Sequence, residues 1–284
     1  MIDSGTVERW LREDLGHHDV TNDVPGETEG RLLAREAGVA AGLDAAAAVF
    51  EQLDVDVVER VDDGSSIERD DVVLRVEGSA QSVLRAERVA VNVAGHASGI
   101  ATKTSEAVAA VEEACGPSAD GDATDAPHSL PAVAATRKTT PGLRGVEKRA
   151  VAAGGGDTHR LDLSHMVMIK DNHVAELGIE RAVNRFRERA SFATKIEVEV
   201  ESPADAVRAA EAGADVVLLD NLEPDAVAQA VERLDESDAE AIVEASGGIT
   251  VETVSEYATT GVDVVSMGSL THSASSLDYS FRTG

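Results

Sequence analysis

The chain has 284 residues, enough for one large or two ordinary domains with a substantial buried core. It carries 25 Lys and Arg against 53 Asp and Glu, a formal net charge of −28, and only 2% of its residues are aromatic. This charge argues against nucleic acid and anionic membranes as partners, because their phosphates would be repelled, and so few aromatic rings leave little for base stacking.

The first part of the chain predicts an α+β domain. Residues 6–15 place apolar side chains at helical spacing and end at Gly16, which predicts a short amphipathic helix. Residues 80–114 predict a long helix, broken or kinked at the small residues of AGHASGIAT. Between them, strands without a regular helix between each pair are typical of an α+β fold, and the strand and helix patterns lie at residues 31–42, 43–53, 55–61 and 71–78.

Two loops carry residues that could bind a metal or take part in chemistry. His17, His18 and Asp19 are contiguous, and contiguous loop residues seldom converge on one ion, so we predict no metal there. Residues 116–131 are rich in Pro, Gly, Asp and Ser, which predicts a long loop. Only His128 in this loop is suited to chemistry, which favours an acidic insertion over a lid.

After this loop the pattern changes to six strand-and-helix units. Apolar runs predict parallel strands at residues 132–136, 166–169, 195–200, 215–219, 241–245 and 262–267. Helices are predicted between them at residues 142–153, 172–190, 203–212, 224–234 and 251–260. Polar residues follow each strand, and the glycine fingerprint of a dinucleotide-binding fold is absent after the first one. Both features favour an α/β barrel over an open sheet.

Basic residues are concentrated between Arg137 and Lys170, where seven of them face only three acidic residues. Three of the seven, Arg144, Lys148 and Arg149, lie on a predicted helix and are expected to be solvated surface cations. The others lie at strand ends or beside glycines, and His159, next to Arg160 and the glycines before it, predicts an exposed anion-binding corner. Since Arg forms paired hydrogen bonds with carboxylates and phosphates, we expect an anionic ligand here.

Carboxylates and glycine turns complete the predicted strand ends. Glu199 and Asp220 are the pair favoured as ligands of magnesium or of sugar hydroxyls, because hard oxygen ligands suit that ion. Two turns, SGGIT after the fifth strand and MGSLTH after the sixth, could hold a phosphate on backbone amides. Together with the cations, they predict a site for a phosphorylated, metal-bound substrate.

Six segments resemble, in order, the motifs of the quinolinate phosphoribosyltransferase family: TRKTTPGLR, GGGDTHRLDLSHMVMIKDNH, IEVEVES, LLDN, EASGGIT and GVDVVSMGSLTHS. The resemblance extends from EDLGHHDVT to DYSF, essentially the whole chain, and only the loop 116–131 departs from it. It implies a decarboxylating pentosyltransferase of de novo NAD synthesis. Such an enzyme converts quinolinate and phosphoribosyl pyrophosphate to nicotinate mononucleotide, pyrophosphate and CO₂, with Mg²⁺ as cofactor.

The resemblance also implies the architecture. A smaller N-terminal α+β open sandwich, residues 1–105, would lie beside an incomplete α/β barrel, residues 106–267, as in type II phosphoribosyltransferases. The tail 268–284 is expected to return to the first domain. The enzyme would be a homodimer or an assembly of dimers, with Arg88 of the partner subunit completing each site.

Individual site residues follow from the same resemblance. Arg137, His159 and Arg160 would bind the two carboxylates of quinolinate, and Lys138 and Lys170 would act near its junction with phosphoribosyl pyrophosphate. The remaining assignments are catalytic, ribose-binding and magnesium-binding roles for Glu199 and Asp220, and phosphate-binding roles for Ser246, Gly247, Gly248, Gly268 and His272.

Three alternatives stay open. A related transferase could use a monocarboxylate such as nicotinate. A barrel aldolase could use Lys170 as a Schiff-base lysine, which would require a desolvated pocket. The third alternative is a phosphosugar-binding protein without catalysis.

The remaining expectations concern the compartment. The surplus of acids suggests adaptation to high salt, where screening weakens the repulsion between surface charges. Cys115 is the single cysteine and cannot form an internal disulfide, which fits a reducing compartment. The stretch MIDSGTVERW lacks the apolar core of a signal peptide, and no run approaches the roughly 18 apolar residues of a membrane span. We therefore expect a soluble cytoplasmic protein.

Overall fold

The structure is a computed structural model of the chain and describes residues 2–116 and 130–284. Helices and strands occur through both stretches and form two compact units. In chain order the elements are α1 Ser4–Leu15, β1 Glu27–Ala34, β2 Gly38–Val39, α2 Leu43–Glu51, β3 Asp56–Arg60, β4 Ser66–Ile67, β5 Val72–Ser79, α3 Ala80–Cys115, β6 Ala132–Ala134, α4 Arg144–Ala153, β7 Val167–Ile169, α5 Asp171–Leu177, α6 Ile179–Arg187, β8 Ile196–Val200, α7 Pro203–Glu211, β9 Val216–Asp220, α8 Pro224–Asp235, β10 Ile242–Ser246, α9 Val254–Ala258, β11 Val264–Ser266, α10 Ser269–His272 and β12 Tyr279–Thr283.

The elements differ from the predicted ones in a few places. The helix predicted at 172–190 is two helices, α5 and α6, because Gly178 between them has a φ of +76° that a helix cannot contain. The short elements β4, α10 and β12 were not predicted. The acidic loop and His128 lie outside the described residues, apart from the ends of the loop. Within the described part of the chain, no helix has both the length and the apolar composition needed to cross a bilayer.

The first unit comprises residues 1–105, 139–155 and 273–284. Its main sheet is antiparallel, with strand order β12-β1-β5-β3. The helices α1 and α2 and the first turns of α3 bury apolar side chains in one core with this sheet, including those of Leu11, Leu32, Phe50, Leu74 and Val83. Because β12 pairs with β1, the last residues of the chain belong to this unit.

The predicted break in α3 is wrong, because the helix is continuous from Ala80 to Cys115. Its small residues serve close packing instead. A Cβ atom on Gly99 would lie 1.9 Å from the carbonyl oxygen of Ser275, and one on Gly95 would lie 2.9 Å from that of Leu277. The amide of Leu277 also donates to the carbonyl of Gly95 at 2.9 Å. Glycine therefore lets the returning C-terminal segment lie directly against the helix backbone.

The helix α4 packs within the first unit, whereas the predicted division placed residues 139–155 in the barrel domain. Two contacts with α3 explain this placement. Glu147 accepts a hydrogen bond from His96, and a Cβ on Gly154 would lie 2.3 Å from the carbonyl oxygen of Ala101. Lys148 is only 2% exposed, so the prediction that it is a solvated surface cation is wrong.

The second unit comprises residues 106–138 and 156–272 and contains a six-stranded parallel sheet. The strand order is β6-β11-β10-β9-β8-β7, so the first strand in the chain pairs with the last. Beside β6, Asp157 adds a single parallel bridge to Ala134. The sheet thus continues around from β7 through β11 to β6 and this bridge. This order is that of the predicted incomplete α/β barrel.

The two faces of this parallel sheet differ in chemistry. One face presents Val198, Leu219 and Ala245, which are fully buried and lie on the side covered by helices. The other face presents Glu199, Leu218 and Glu244 side by side, because both acids are in register with Leu218 on the strand between them. Side chains alternate along a strand, so Glu197 also points to this second face. The barrel interior therefore carries acidic side chains at positions where a parallel strand is usually apolar.

Candidate active site

The second unit brings the predicted site residues to the carboxyl ends of its strands. Parallel strands end at the same edge of a sheet, so residues that follow them share one mouth. In chain order, the predicted residues at or just beyond strand ends are Arg137, Lys138, Lys170, Glu199, Asp220, Ser246, Gly247, Gly248, Gly268 and His272. His159 and Arg160 lie on the segment between β6 and β7. Arg88 lies in the first unit, on α3.

His159 lies at a backbone corner that is anchored to β6. The amide of Ala135 donates to the carbonyl of Asp157 at 2.9 Å, and the amide of Asp157 donates to that of Val133 at 2.8 Å. The carboxylate of Asp157 then accepts from the amide of His159 at 2.5 Å. His159 has a φ of +49°, a conformation that non-glycine residues adopt rarely and that often occurs at functional sites. The corner is therefore fixed by the strand beside it.

The imidazole of His159 is held between two buried carboxylates. Its Nε2 lies 3.0 Å from Oε2 of Glu244 and 3.6 Å from Oε1 of Glu197. The two acids are 2% and 0% exposed. Burial alone would lower the pKa of His159, but its contacts with Glu197 and Glu244 outweigh this effect and raise the pKa to about 10. The ring is therefore an imidazolium at neutral pH.

The prediction that His159 forms an exposed corner is wrong. Its side chain is 12% exposed, because the ring points into the barrel interior toward the two carboxylates. The other ring nitrogen, Nδ1, is buried and has no hydrogen-bond partner among the residues that the structure describes. Leaving a buried donor unpaired costs about 1–3 kcal/mol, which indicates that a ligand atom completes this contact.

Arg160 presents a second cation to the same interior. The residue is 6% exposed, and its Nη2 contacts the Sδ atom of Met168 at 3.0 Å. Burial first, and then the positive charge of Arg137, lower the pKa of Arg160 from its usual value. Its Nε is a buried donor without a hydrogen-bond partner in the described stretches of the chain. Two neighbouring guanidinium groups beside an unpaired donor have the chemistry that suits an anionic ligand.

Lys170 and Glu199 form an ion pair at the neighbouring strand ends. The side chain of Lys170 is 46% exposed and that of Glu199 is 14% exposed, so the pair lies at the mouth rather than in the interior. The amide of Lys170 donates to Nδ1 of His173 at 2.9 Å, which fixes the start of α5. Lys170 is thus a charged, solvent-accessible lysine that is oriented by a carboxylate.

The end of β9 is built tightly around Asp220. Its Oδ2 accepts a hydrogen bond from the amide group of Asn221 at 2.6 Å, and the backbone amide of Asn221 donates to the carbonyl of Ser246 at 2.9 Å. A Cβ on Gly247 would lie 2.4 Å from Oδ1 of Asn221. Gly247 also has a φ of +100°, so this position requires glycine for both reasons.

The two glycine turns are tied to the residues around them. Oγ of Ser266 donates to Oγ of Ser246 at 2.9 Å, which links the ends of β10 and β11. Oγ1 of Thr271 on α10 donates to the carbonyl of Lys138 at 2.7 Å. A Cβ on Gly268 would lie 2.8 Å from Cδ of Lys138, so this lysine passes directly over the second turn.

Sequence reasoning did not assign roles to Glu197 and Glu244, although their pattern was readable. Each is an acid flanked by apolar residues within a strand of a parallel sheet, where charged residues are rarely buried unless they are paired. Their partner could not be inferred, because His159 is distant in sequence and reaches them only through the corner at Asp157. Met168, which contacts Arg160, was also not assigned.

Two groups of residues have the chemistry of metal ligands. Among the described residues, ligand atoms of His159, Glu197 and Glu244 lie within 4.8 Å of one another. We assign this group as an ion pair, because an imidazolium nitrogen that donates to carboxylates has no lone pair for a metal. Glu199 and Asp220 offer partly accessible carboxylate oxygens on adjacent strands, which fits a Mg²⁺ ion that also binds substrate phosphates.

Fold and site together define an α/β-barrel enzyme whose mouth gathers cations for anionic substrates. Family models agree over nearly the whole chain. The model "Quinolinate phosphoribosyl transferase, N-terminal domain" matches residues 18–98, and the model "Quinolinate phosphoribosyl transferase, C-terminal domain" matches residues 100–282.

Individual proteins agree with the family models. A probable nicotinate-nucleotide pyrophosphorylase [carboxylating] from Methanothermobacter thermautotrophicus is 43% identical over 97% of both chains. The human nicotinate-nucleotide pyrophosphorylase [carboxylating] is 42% identical over 97% of this chain and 90% of its own. The crystal structure of NadC from Streptococcus pyogenes is 40% identical, with a TM-score of 0.86, over 98% of this chain and 94% of its own. The chain belongs to the quinolinate phosphoribosyltransferase family, which confirms the resemblance in the motifs.

Proposed function

We propose that this protein transfers a phosphoribosyl group from phosphoribosyl pyrophosphate to quinolinate. The products would be nicotinate mononucleotide, pyrophosphate and CO₂, in the synthesis of NAD. Membership of the family supports the reaction. One structural observation carries the choice of a carboxylate acceptor: His159 and Arg160 have buried donor atoms that find no partner in the described part of the chain, in a protein that is otherwise strongly acidic.

Quinolinate would bind where these cations meet. It is a dianion, and Arg137, His159 and Arg160 would hold its two carboxylates. Lys138 and Lys170 would lie near its junction with the sugar donor. A concentrated positive field is needed because both substrates are anions and the rest of the protein repels them. The bound ring nitrogen is then positioned to attack the anomeric carbon, so positioning contributes much of the catalysis.

The sugar would bind beside the carboxylates. The bond between the anomeric carbon and pyrophosphate breaks as the bond to the pyridine nitrogen forms, and the sugar carries positive charge in between. Glu199 and Asp220 would bind the ribose hydroxyls and stabilise this charge, while Lys138 and Lys170 would stabilise the leaving pyrophosphate. The 5-phosphate would be held at the two glycine turns, by Ser246, Gly247, Gly248, Gly268 and His272.

Decarboxylation would follow from the charge of the product ring. Once the ring nitrogen is bonded to the sugar, it is positive and stabilises the electron pair that stays on the neighbouring ring carbon when the bond to the 2-carboxylate breaks. That bond breaks, CO₂ leaves, and the ring carbon takes a proton from solvent. The step needs no basic side chain, which agrees with a site made mainly of cations.

We propose Mg²⁺ as the cofactor and Glu199 and Asp220 as the residues that would hold it, directly or through its water. When bound, the ion would neutralise charge on the pyrophosphate leaving group. The ion pair with Lys170 orients Glu199, and the hydrogen bond from Asn221 orients Asp220. Both carboxylates are therefore held in place before substrates bind.

We also propose a homodimer or an assembly of dimers, in which Arg88 of the partner subunit reaches the quinolinate site. The Arg88 side chain is 62% exposed and forms a surface ion pair of 3.3 Å with the adjacent Glu87, so its guanidinium is accessible to a second subunit. A monomer by sedimentation that is fully active would refute this assembly. A cytoplasmic location and adaptation to high salt, inferred from the single cysteine and the acidic surface, are likewise proposals.

Product formation tests the reaction. Purified protein is incubated with phosphoribosyl pyrophosphate, Mg²⁺ and either quinolinate or nicotinate, and the mononucleotide, pyrophosphate and CO₂ are measured. Quinolinate should give all three products in equal amounts. Product from nicotinate alone would favour the monocarboxylate alternative, and binding without any product would favour a phosphosugar-binding protein.

Removing one carboxylate contact sharpens this test. Arg137→Ala should lower kcat/KM for quinolinate by roughly 10²-fold or more, because the charge that pairs with a substrate carboxylate is lost. Its urea unfolding midpoint should stay close to that of the wild type. Unchanged affinity for quinolinate would refute the assignment of Arg137.

The aldolase alternative has little support from the site. A Schiff-base lysine needs a desolvated pocket, whereas Lys170 is 46% exposed and paired with Glu199. Neither feature is that of a desolvated pocket. Failure of borohydride to trap a keto substrate on Lys170 would exclude this alternative directly.

A further inference from the structure

Two buried acids of the barrel interior have no role in the reaction as proposed. Glu197 on β8 and Glu244 on β10 are 0% and 2% exposed. The strand between them, β9, presents Val216 and Leu218 in register with these acids, and its one charged residue, Asp220, lies at the carboxyl end of the strand. Buried carboxylates in such surroundings become protonated unless cations are brought to them.

The cations come from one short segment of the chain. His159 contacts both acids through Nε2, at 3.0 Å to Glu244 and 3.6 Å to Glu197, and Arg160 next to it also lies within their electrostatic influence. Burial raises the pKa of Glu197, and the contact with His159 and the charge of Arg160 act against this effect. Two buried acids therefore face two cations. A divalent metal ion in the same space would leave the closed interior with surplus positive charge, so an ion-pair cluster accounts for the charges better than a metal site.

We propose that Glu197 and Glu244 are positioning residues that hold His159 in its doubly protonated form and aim its Nδ1–H at a carboxylate of quinolinate. This inference rests on the proposed function and deepens it. The two acids touch neither substrate and act only through the imidazole.

The contact with a substrate carboxylate depends on which nitrogen of the His159 ring carries a proton. A neutral imidazole has one N–H, and a carboxylate at Nε2 would keep the proton there, so Nδ1 would be an acceptor and would repel a substrate carboxylate. Only the imidazolium donates from both nitrogens. Nδ1 is buried, and the described residues supply no partner for it. The hydrogen bond from the His159 amide to Asp157 fixes the backbone, so the ring is held from two sides.

The charged groups around the ring agree with this role. Glu197 contacts it from β8 and Glu244 from β10, and Arg160 is its chain neighbour. On β9, Val216 and Leu218 are in register with the two acids, and Asp220 stands at the carboxyl end of that strand. Burial disfavours the charged ring, but the two carboxylates raise the pKa of His159 to about 10. Quinolinate should therefore bind equally well on both sides of pH 6.5, where an ordinary histidine loses its charge.

Kinetics of Glu244→Gln across pH test the inference. Gln keeps the shape of Glu and removes its charge, and Glu240→Gln, at an exposed position just before β10, is the matched control. In the wild type and the control, the His159 ring stays charged between pH 6 and 9, so its titration should change KM for quinolinate by less than about threefold over this range. In Glu244→Gln, KM for quinolinate should rise by at least about tenfold over this range, because each unit above a lowered pKa reduces the charged fraction tenfold. KM for phosphoribosyl pyrophosphate should change by less than about twofold, because it is bound elsewhere.

A double mutant separates positioning from a general structural effect. In a His159→Gln background, adding Glu244→Gln should leave KM for quinolinate unchanged, because both substitutions act through one ring. An equal loss in both backgrounds would overturn the proposal. So would a quinolinate KM for Glu244→Gln that matches the control at pH 9.

Nuclear magnetic resonance gives a readout that does not need turnover. The ring nitrogen signals of His159, identified by their absence in His159→Gln, should stay those of an imidazolium up to pH 9 in the wild type and titrate below pH 9 in Glu244→Gln. A neutral ring at pH 8 in the wild type would overturn the inference. If the wild type makes no product but the ring behaves as expected, the proposed function fails while the charge assignment of His159 stands.

Discussion

Each unit of this protein contains a buried cluster of histidine and glutamate, and the two clusters differ in how completely they are paired. In the first unit, Glu147 on α4 accepts from Nε2 of His96 at 2.9 Å and from the amide of Thr140 at 3.1 Å. In the second unit, His159 contacts Glu197 and Glu244. Both clusters bury carboxylates that are at most 2% exposed.

The first cluster satisfies its own groups. Burial acts to raise the pKa of Glu147, but the hydrogen bonds from His96 and Thr140 outweigh it and lower the pKa. The second cluster leaves buried donors at His159 and Arg160, and both oxygens of Glu197, without a hydrogen bond from any described residue. A fully paired cluster stabilises the fold, whereas an incompletely paired one gives up stability so that a ligand can complete it. The difference marks the second cluster as functional.

The largest expected effect is on the paired cluster. Glu147→Ala should lower the free energy of unfolding by about 3 kcal/mol, because it leaves the Thr140 amide and His96 without their partner. Urea unfolding followed by circular dichroism measures this. Glu112→Ala, at an exposed position on α3, should change stability by less than about 0.5 kcal/mol. A loss for Glu147→Ala no greater than that of this control would contradict a stabilising role.

The contribution of the second cluster to stability should depend on pH. The pKa of His159 in the folded protein, about 10, exceeds its usual 6.5. Its contribution to stability is therefore complete below pH 6.5 and is lost as pH rises through 10. Between pH 6.5 and 8, the stability of the wild type relative to His159→Gln should fall by about 2 kcal/mol, at about 1.36 kcal/mol per unit. A constant difference over this range would mean that the ring is not held as a cation.

The smallest effect concerns salt, which separates exposed charges from buried ones. The Debye length falls from about 10 Å at 0.1 M to about 3 Å at 1 M, so added KCl should raise the stability of this acidic protein by weakening surface repulsion. The loss caused by Glu147→Ala should change by less than about 0.5 kcal/mol between these conditions, because buried pairs are screened little. Full stability in dilute buffer would count against salt adaptation.

Much of the fold could be predicted because it depends on local patterns. The strand β9 is an unbroken apolar run, and α7 begins with Ser202 as its cap and a proline in its first turn, so both were readable from single segments. The small residues of α3 were misread as a break, because its glycines allow close packing of a segment that lies far away in the chain. Gly178 ends a helix because its φ is positive, and a glycine in the sequence does not by itself predict a positive φ.

The candidate site divides in the same way. Arg137, Lys138 and Lys170 were found because cations at strand ends are unusual in so acidic a chain. The burial of His159 and its contacts with Glu197 and Glu244 were not found, because they require three distant segments to meet in space.

The sequence by itself determined the family, the order of strands and helices, and which residue types stand at the strand ends, because these are properties of local pattern and motif. Only the tertiary structure decided that His159 faces inward between two carboxylates and that α4 joins the first unit. The physical reason is that charge state and burial depend on neighbours brought together by folding, and two acids on different strands acquire a shared partner only when the barrel forms.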